Sequence, residues 1–277
     1  MHIYERAGDI AFRAYRPGSK RTGVVLVHGG MQASHSFDTL ARELAADFDV
    51  FVPDRRGRGK SGPRGLSYGL ATEVEDILGV LRATGARRLF GLSSGAVISL
   101  GIAAAHADAL DRLALYEPPL TVPGAEPTSW GAAYERELAA GHLGGAMAAA
   151  LKGTGDRDLM RYIPAFLLAR LFDAMMKREV PVPDTVPVRE LVPTMANDLA
   201  VVREAATRFA ELSTPRPRTL LLTGEKSAEM LHVAADALAA KLPNGERNQL
   251  LGVGHIAADN RGKPADVAAL LRPFFAA

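Results

Sequence analysis

The chain has 277 residues, of which 48% are hydrophobic and 23% are charged, a balance typical of globular domains and unlike that of disordered chains. It contains no cysteine, which excludes disulfides, thiolate metal sites and cysteine catalysis. The formal charge of +2 gives no electrostatic basis for binding nucleic acid or an anionic membrane.

The first twenty residues lack a continuous apolar stretch, whereas a secretory signal needs about 7–15 apolar residues. No later run approaches the ~20 apolar residues of a transmembrane helix. We therefore expect a cytoplasmic protein with no membrane span.

The first 119 residues alternate short β-rich runs with helical patterns. The spacing predicts a helix that starts with Thr72 as N-cap and Glu75 as its capping-box partner, and that ends at Gly85. Predicted strands cover residues 10–15, 24–27, 50–52, 88–91 and 113–116, and predicted helices cover residues 37–47, 72–84 and 96–106. This alternation favours a mainly parallel sheet with helices on both faces.

The alternation stops after Pro118 and Pro119. The following hundred residues show helical patterns at 130–140, 158–178 and 195–212, and a proline-rich stretch at 180–193 that should be extended. Strand and helix patterns resume at 219–223, 228–242, 249–253 and 264–275. The sequence therefore predicts one α/β core, residues 1–119 and 214–277, interrupted by a helical insertion at residues 120–213.

Gly91, Ser93 and Gly95 form a G-x-S-x-G pattern between a predicted strand and a predicted helix. A very tight strand-to-helix turn exposes the central serine and leaves no room for side chains two positions away. Ser93 fits this spacing, whereas Ser94 has Leu92 and Ala96 at those positions. The pattern predicts a nucleophilic serine above the positive end of a helix dipole.

A second glycine turn, His28-Gly29-Gly30-Met31, follows the earlier apolar strand. Backbone N–H groups of Gly30, or next of Met31, and of Ser94 could together form an oxyanion hole. For His28 itself we favour a structural hydrogen bond to the loop over a catalytic role.

These motifs resemble those of the α/β-hydrolase superfamily. His28-Gly29-Gly30, the G-x-S-x-G pattern and Gly254-His255 occur in the expected order, and residues 54–61 (DRRGRGKS) resemble the superfamily's D-x-R-G-x-G-x-S loop. The resemblance covers essentially the whole chain and implies an α/β-hydrolase fold in which the helical insertion is a lid. Serine at the elbow differs from the aspartate of the superfamily's dehalogenases and epoxide hydrolases.

Residues 54–62 also match two nucleotide-binding patterns in part. Gly57, Gly59 and Gly62 have the spacing of a dinucleotide fingerprint, and Gly59-Lys60-Ser61 resembles the end of a phosphate-binding loop. No helix can start where Pro63 and further glycines follow, and Asp54 occupies a position where the phosphate loop needs glycine. We interpret the loop as structural.

The base for Ser93 must lie on a loop at the carboxyl edge of the sheet. His255 fits, because it lies on a glycine-flanked turn before the last helix. His35 lies near the proposed oxyanion loop and could line the pocket.

The carboxylate that would pair with His255 is less clear from the sequence. Many superfamily members carry aspartate three residues after the glycine that ends the strand following the lid, and here that position is Ser227. Other members place the acid after the preceding strand, where this chain has Glu117. We favour Glu117, followed by Glu225, and then Glu229 or no acid at all.

The sequence thus predicts a serine hydrolase in which Ser93, His255 and Glu117 cleave a carboxylic ester, thioester or lactone of a small, largely apolar molecule without metal or organic cofactor. A non-hydrolytic enzyme on the same fold, such as an acyltransferase, cyclase or cofactor-free peroxidase, and a catalytically silent binding protein are the alternatives. The residues do not determine an oligomeric state. Candidate pocket residues are Met31, His35, Trp130 and Phe166, and further candidates in the insertion are Met160, Phe172, Met175 and Met176.

Overall fold

The computed structural model describes residues 2–16, 21–154, 162–242 and 245–277. Eight strands of these residues form one sheet in the order β1-β2-β4-β3-β5-β6-β7-β8. The strands are β1 (Ile3–Ala7), β2 (Ile10–Tyr15), β3 (Gly23–Val27), β4 (Asp49–Pro53), β5 (Arg88–Leu92), β6 (Arg112–Tyr116), β7 (Arg218–Gly224) and β8 (Gly245–Leu250). Strand β2 pairs antiparallel with both β1 and β4, and all other neighbouring strands pair parallel, so the predicted α/β fold is confirmed.

The helices of the described residues lie between and after these strands. They are α1 (Asp38–Leu44), α2 (Leu70–Thr84), α3 (Ser94–Ala105), α4 (Gly131–Ala139), α5 (Leu143–Thr154), α6 (Ala165–Arg178), α7 (Val188–Leu191), α8 (Met195–Ala205), α9 (Phe209–Leu212), α10 (Glu229–Ala239) and α11 (Pro264–Ala276). None of the helices in the described part of the chain has the length and apolar character to cross a bilayer.

The central strands are apolar throughout because helices cover both faces of the sheet. On one face α1 and α11 pack against the strands, and on the other α2, α3 and α10 do so. A third apolar cluster belongs to α4, α5, α6 and α8. The chain therefore has one buried sheet and a separate helical layer beside it.

Strands β6 and β7 are neighbours in the sheet, although residues 117–217 separate them along the chain. The described residues of this stretch form α4 to α9 and add no strand to the sheet. The helix predicted at 158–178 lies outside the described residues as far as residue 161. Residues 162–164 are described and are not α-helical, so α6 begins only at Ala165. Helix α5 was not predicted. The stretch at 180–193 is not wholly extended, because α7 lies within it, and the pattern at 195–212 contains two helices, α8 and α9.

Two further predictions on element boundaries were wrong, and one strand was missed. Helix α2 begins at Leu70 with Gly69 as its N-cap, and the Thr72 hydroxyl donates to the Ser67 carbonyl instead. Strand β1 was not predicted, and β8 ends at Leu250 rather than covering residues 249–253. Both are edge strands with mostly exposed or half-buried residues, so they lack the apolar pattern of the interior strands.

The strand order places a crevice above the centre of the sheet. After β3 the chain turns to β4 on one side, and after β4 it returns to β5 on the other side of β3. The loops that follow β3 and β5 therefore diverge at the carboxyl edge, which is where ligands bind in open α/β sheets.

Candidate active site

Ser93 lies on the turn between β5 and α3. Its φ of 56° is in the left-handed region, which costs strain for a residue with a side chain. A Cβ at Gly91 would lie 2.5 Å from the Ser99 hydroxyl oxygen, and one at Gly95 would lie 2.6 Å from the His28 carbonyl oxygen. The turn is therefore as tight as the G-x-S-x-G pattern predicts, and both glycines are required by close contacts.

Replacing Gly95 by alanine is expected to destabilise the protein by at least about 2 kcal/mol, because the methyl group would meet the backbone of β3. Urea unfolding measures the loss. Gly79→Ala in α2 is the control, since a Cβ there meets no atom within 4 Å. Equal stability of the two variants would contradict the close contact.

The glycine loop after β3 lies directly beside Ser93. A Cβ at Gly29 would lie 3.0 Å from the Ser93 Cβ, and the Gly29 N–H donates to the Gln32 side chain at 2.8 Å. Gln32 in turn donates to Asp259 at 2.8 Å, so the loop is anchored to the C-terminal part of the chain. Gly30 and Ser94 both line the cavity at Ser93.

His255 and Glu117 meet at the same edge of the sheet. Nδ1–H of His255 donates to Glu117 Oε2 at 2.7 Å, and the Gly224 N–H donates to Glu117 Oε1 at 2.6 Å. The Glu117 side chain is fully buried. Tyr116 donates from its hydroxyl to the Gly254 carbonyl at 2.8 Å, which holds the loop that carries His255.

The other acid candidates occupy different surroundings. Glu225 is exposed, and its carboxylate accepts a hydrogen bond from the Gly252 N–H at 2.7 Å. Glu229 is exposed as the first residue of α10. Ser227 is buried, and no described residue is within hydrogen-bonding distance of its hydroxyl. Glu117, the candidate that the sequence favoured, is thus the carboxylate that accepts the hydrogen bond from His255 Nδ1–H.

A cavity connects these groups with the helical layer. Its wall is mostly apolar and comes from both parts of the chain, with Ser93, Ser94, Gly30 and His255 on the sheet side. The remaining lining residues are Pro119, Pro127, Thr128, Trp130, Thr154, Met195, Asp198, Leu199, Val202, Met230 and Leu231.

Of the four pocket residues in the prediction, Trp130 lines this cavity and the other three do not. Phe166 is 61% exposed, because α6 turns Leu168 inward instead. Met31 packs against the helical cluster, and His35 lies where its carbonyl accepts a hydrogen bond from Asn260.

Three of the further candidates in the insertion, Phe172, Met175 and Met176, do not line the cavity either. Phe172 and Met176 belong to the apolar cluster of the helical layer, and Met175 is 39% exposed. Met160 lies outside the described residues. Phe172 and Met176 pack the helices together, so their helical spacing reflects internal packing.

His28 has a structural position, as expected. It is fully buried, its Nδ1–H donates to the Gly29 carbonyl at 3.0 Å, and its Nε2 accepts from the Arg55 N–H at 3.3 Å. Burial and the nearby Arg58 and Arg55 hold the pKa of His28 well below its usual range. A neutral imidazole therefore bridges the two loops.

The loop at residues 54–62 is also structural. The Asp54 carboxylate accepts hydrogen bonds from the backbone N–H groups of Ser34 at 2.8 Å and Lys60 at 3.0 Å. At Gly59, with φ of 53°, a Cβ would collide with the same carboxylate. Gly59 therefore allows close packing onto Asp54.

Sequence reasoning missed a buried charge cluster beside this site, formed by Arg55, Arg58, Glu73 and Asp198. Arg55 pairs with Glu73 at 2.9 Å and with Asp198 at 2.7 Å, and Arg58 pairs with Asp198 at 2.7 Å. All four side chains are at most 4% exposed. Asp198 comes from α8 and Glu73 from α2, so the cluster joins the helical layer to α2 and to the loop at residues 54–62.

Burial alone would raise the pKa of Asp198, but Arg58 and Arg55 outweigh it and lower the pKa to about 2. A folded-state pKa below the unfolded value of about 3.9 adds stability above about pH 4, which is lost as the pH falls towards 2. The difference between the two pKa values corresponds to about 2–3 kcal/mol of stability.

We therefore expect the difference in unfolding free energy between wild type and Asp198→Asn to be largest above pH 4 and to shrink towards pH 2. Urea unfolding of both proteins across this range measures it. A difference that does not vary with pH would contradict the low pKa.

Together, the twisted parallel sheet, the strained serine turn and the carboxylate–histidine pair at one sheet edge define a hydrolase of the α/β class. A model of the alpha/beta hydrolase family matches residues 24–270, and the chain belongs to this family.

Individual relatives agree with this assignment. An alpha/beta hydrolase from Sphaerobacter thermophilus is 29% identical with a TM-score of 0.76, covering 99% of this chain and all of that one. N-formylmaleamate deformylase of Pseudomonas putida is 36% identical over 122 residues, which are 43% of this chain and 45% of that protein. The match therefore spans less than half the length of this curated relative. The enol-lactonase of Burkholderia xenovorans, 18% identical over 99% of this chain and 100% of its own with a TM-score of 0.69, shares the fold.

Proposed function

We propose that the protein is a serine hydrolase that cleaves a carboxylic ester, or a related thioester or lactone, through an acyl-enzyme. The observation that carries this proposal is the 2.7 Å hydrogen bond between His255 and the buried Glu117, at the edge where Ser93 lines the same cavity. A carboxylate in this position favours the imidazolium that forms when serine loses its proton.

In this mechanism Ser93 Oγ attacks the carbonyl carbon of the substrate. Because Nδ1 of His255 is bound to Glu117, Nε2 takes the proton of Ser93 and later gives it to the leaving group. The carbonyl oxygen becomes an oxyanion that accepts hydrogen bonds from the N–H groups of Ser94 and Gly30. His255 then takes a proton from water as its oxygen attacks the acyl carbon. It returns this proton to Ser93 Oγ when the bond between Oγ and the acyl carbon breaks, which releases the carboxylic acid product.

The cavity supports a small, largely apolar substrate. Trp130, Met195, Leu199, Val202 and Leu231 supply much of its wall, and apolar walls bind apolar groups. The partial similarity to a deformylase adds N-formyl amides to the bonds that need testing.

We also propose that residues 120–213 act as a lid on a core formed by residues 1–119 and 214–277. In support, α8 contributes Met195, Asp198, Leu199 and Val202 to the cavity wall, and the sheet contributes the groups proposed to react. A substrate in the cavity would therefore lie between the two.

The proposal is tested by labelling with a fluorophosphonate, which reacts with activated serines, followed by peptide mapping. We expect a single adduct on Ser93 and turnover of at least one ester, thioester, lactone or N-formyl amide in a panel. An unlabelled protein without turnover would favour a silent binding protein. Acyl transfer to an added alcohol in preference to water would favour an acyltransferase.

A further inference from the structure

Asp198 is a buried carboxylate of the helical layer that reaches the loops on both sides of Ser93. We propose that Asp198 is a positioning residue that fixes both backbone donors of the oxyanion hole. This inference rests on the proposed serine hydrolase mechanism. Asp198 lines the cavity with Gly30 and Ser94, and a Cβ at Gly30 would lie 3.4 Å from the Asp198 carboxyl carbon.

The first donor is held through the Ser94 side chain. Its hydroxyl donates to Asp198 Oδ1 at 2.7 Å and accepts from Arg55 Nη1 at 3.0 Å. Ser94 is the first residue of α3, and its backbone N–H is one of the two donors that the proposed mechanism assigns to the oxyanion hole. Fixing the hydroxyl therefore restrains the residue that bears this donor.

The second donor is held through Arg58. Its Nη2 donates to Asp198 Oδ2 at 2.7 Å, and its Nη1 donates to the carbonyls of Gly29 at 2.9 Å and Gln32 at 3.1 Å. These carbonyls lie on either side of Gly30. The Asp198 carboxylate thus orients the Arg58 guanidinium, which binds two carbonyls of the glycine loop.

A carboxylate suits this position better than any neutral group. Each of its oxygens accepts a hydrogen bond from a different arginine, and Oδ1 also accepts from Ser94. Asparagine has one oxygen acceptor, and its NH₂ group would face a guanidinium. Arg55 would keep Glu73 as an ionic partner, whereas Arg58 pairs with no other carboxylate in the described residues.

A simpler role for Asp198 would be to anchor α8 to the core. Helix α8 offers a matched control for that role, because Glu204 also ties it to the core and accepts a hydrogen bond from the Leu70 N–H at 2.7 Å. This contact lies at the start of α2, and Glu204 does not line the cavity. Loss of either anchor should lower stability, but only Asp198 should affect the oxyanion.

The experiment compares Asp198→Asn with Glu204→Gln in the full chain. It measures kcat, KM, thermal stability and the inhibition constant of a trifluoromethyl ketone, whose adduct with serine carries an oxyanion. Removing one oxyanion-hole donor costs about 10²–10³ in kcat, so misplacing donors should cost about 10–100-fold. For Asp198→Asn we expect this loss in kcat, a parallel loss of ketone affinity and KM within about threefold. Glu204→Gln should keep kcat and ketone affinity within about twofold.

Unchanged kcat and ketone affinity in Asp198→Asn, or the same losses in Glu204→Gln, would overturn the inference. If Asp198→Asn does not fold, Ser94→Ala decides, because it keeps the backbone N–H and all four buried charges. A parallel loss of about 3–10-fold in kcat and ketone affinity supports the positioning role, and no loss contradicts it. Wild-type protein that neither reacts with fluorophosphonate nor turns over substrate would instead disprove the proposed function.

Discussion

Replacing Ser93 by alanine is expected to reduce kcat by about 10⁴–10⁶-fold, because loss of the nucleophile removes the acyl-enzyme route. The melting temperature should change by only a few degrees, since no described hydrogen bond depends on the Ser93 hydroxyl and alanine can occupy the same turn. Steady-state kinetics on the best substrate of the panel, together with thermal unfolding, measure both effects. His255→Ala should give a similar loss.

Ser227→Ala is the control for this experiment. It removes another serine hydroxyl near the site, at the position where many relatives carry the acid, and it should keep kcat within about twofold. Its stability should hold or rise, because an unsatisfied buried hydroxyl is unfavourable. A Ser93→Ala protein with nearly wild-type turnover would disprove the nucleophile assignment.

Replacing Glu117 by glutamine should lower kcat by about 10²–10⁴-fold. The amide keeps an oxygen for the Gly224 N–H but loses the charge that stabilises the His255 imidazolium. Little change in stability is expected, because the side chain keeps its size and most of its contacts. Kinetics and thermal unfolding under the same conditions measure the result.

Glu225→Gln is the matched control, since it is the same substitution at the runner-up position. Its carboxylate is exposed and bonds to the Gly252 N–H, so kcat should stay within about twofold. The acid assignment would fail if Glu225→Gln lost activity while Glu117→Gln retained it.

The interior of the fold could be predicted from the sequence because each strand there is buried on both faces. Residues 24–27 and 113–116 are apolar runs, residues 88–91 contain the apolar pair Leu89 and Phe90, and the structure has β3, β6 and β5 there. The start of α2 could not be predicted, because the group that accepts the first N–H is Glu204, which is distant in sequence. Local capping residues therefore pointed to Thr72 instead.

In the candidate site, too, local sequence patterns pointed to some residues and gave no signal for another. Ser93, Glu117 and His255 follow strands or glycine turns whose local patterns fix their place at the sheet edge. Asp198 had no such signal, because a single acid in a helix usually lies on a solvated face, and its partner Arg58 is 140 residues away. Which face of a helix is buried depends on its neighbours in the fold.

With Glu117 at the end of β6 as the proposed acid, the turn that follows β7 has no reacting group to carry. Its exposed residues Glu225 and Lys226 come shortly before Met230 and Leu231, which form part of the cavity wall. Random mutagenesis of this turn could shift the start of α10 and reshape the wall while the proposed triad stays intact. The turn is therefore a natural starting point for engineering substrate range.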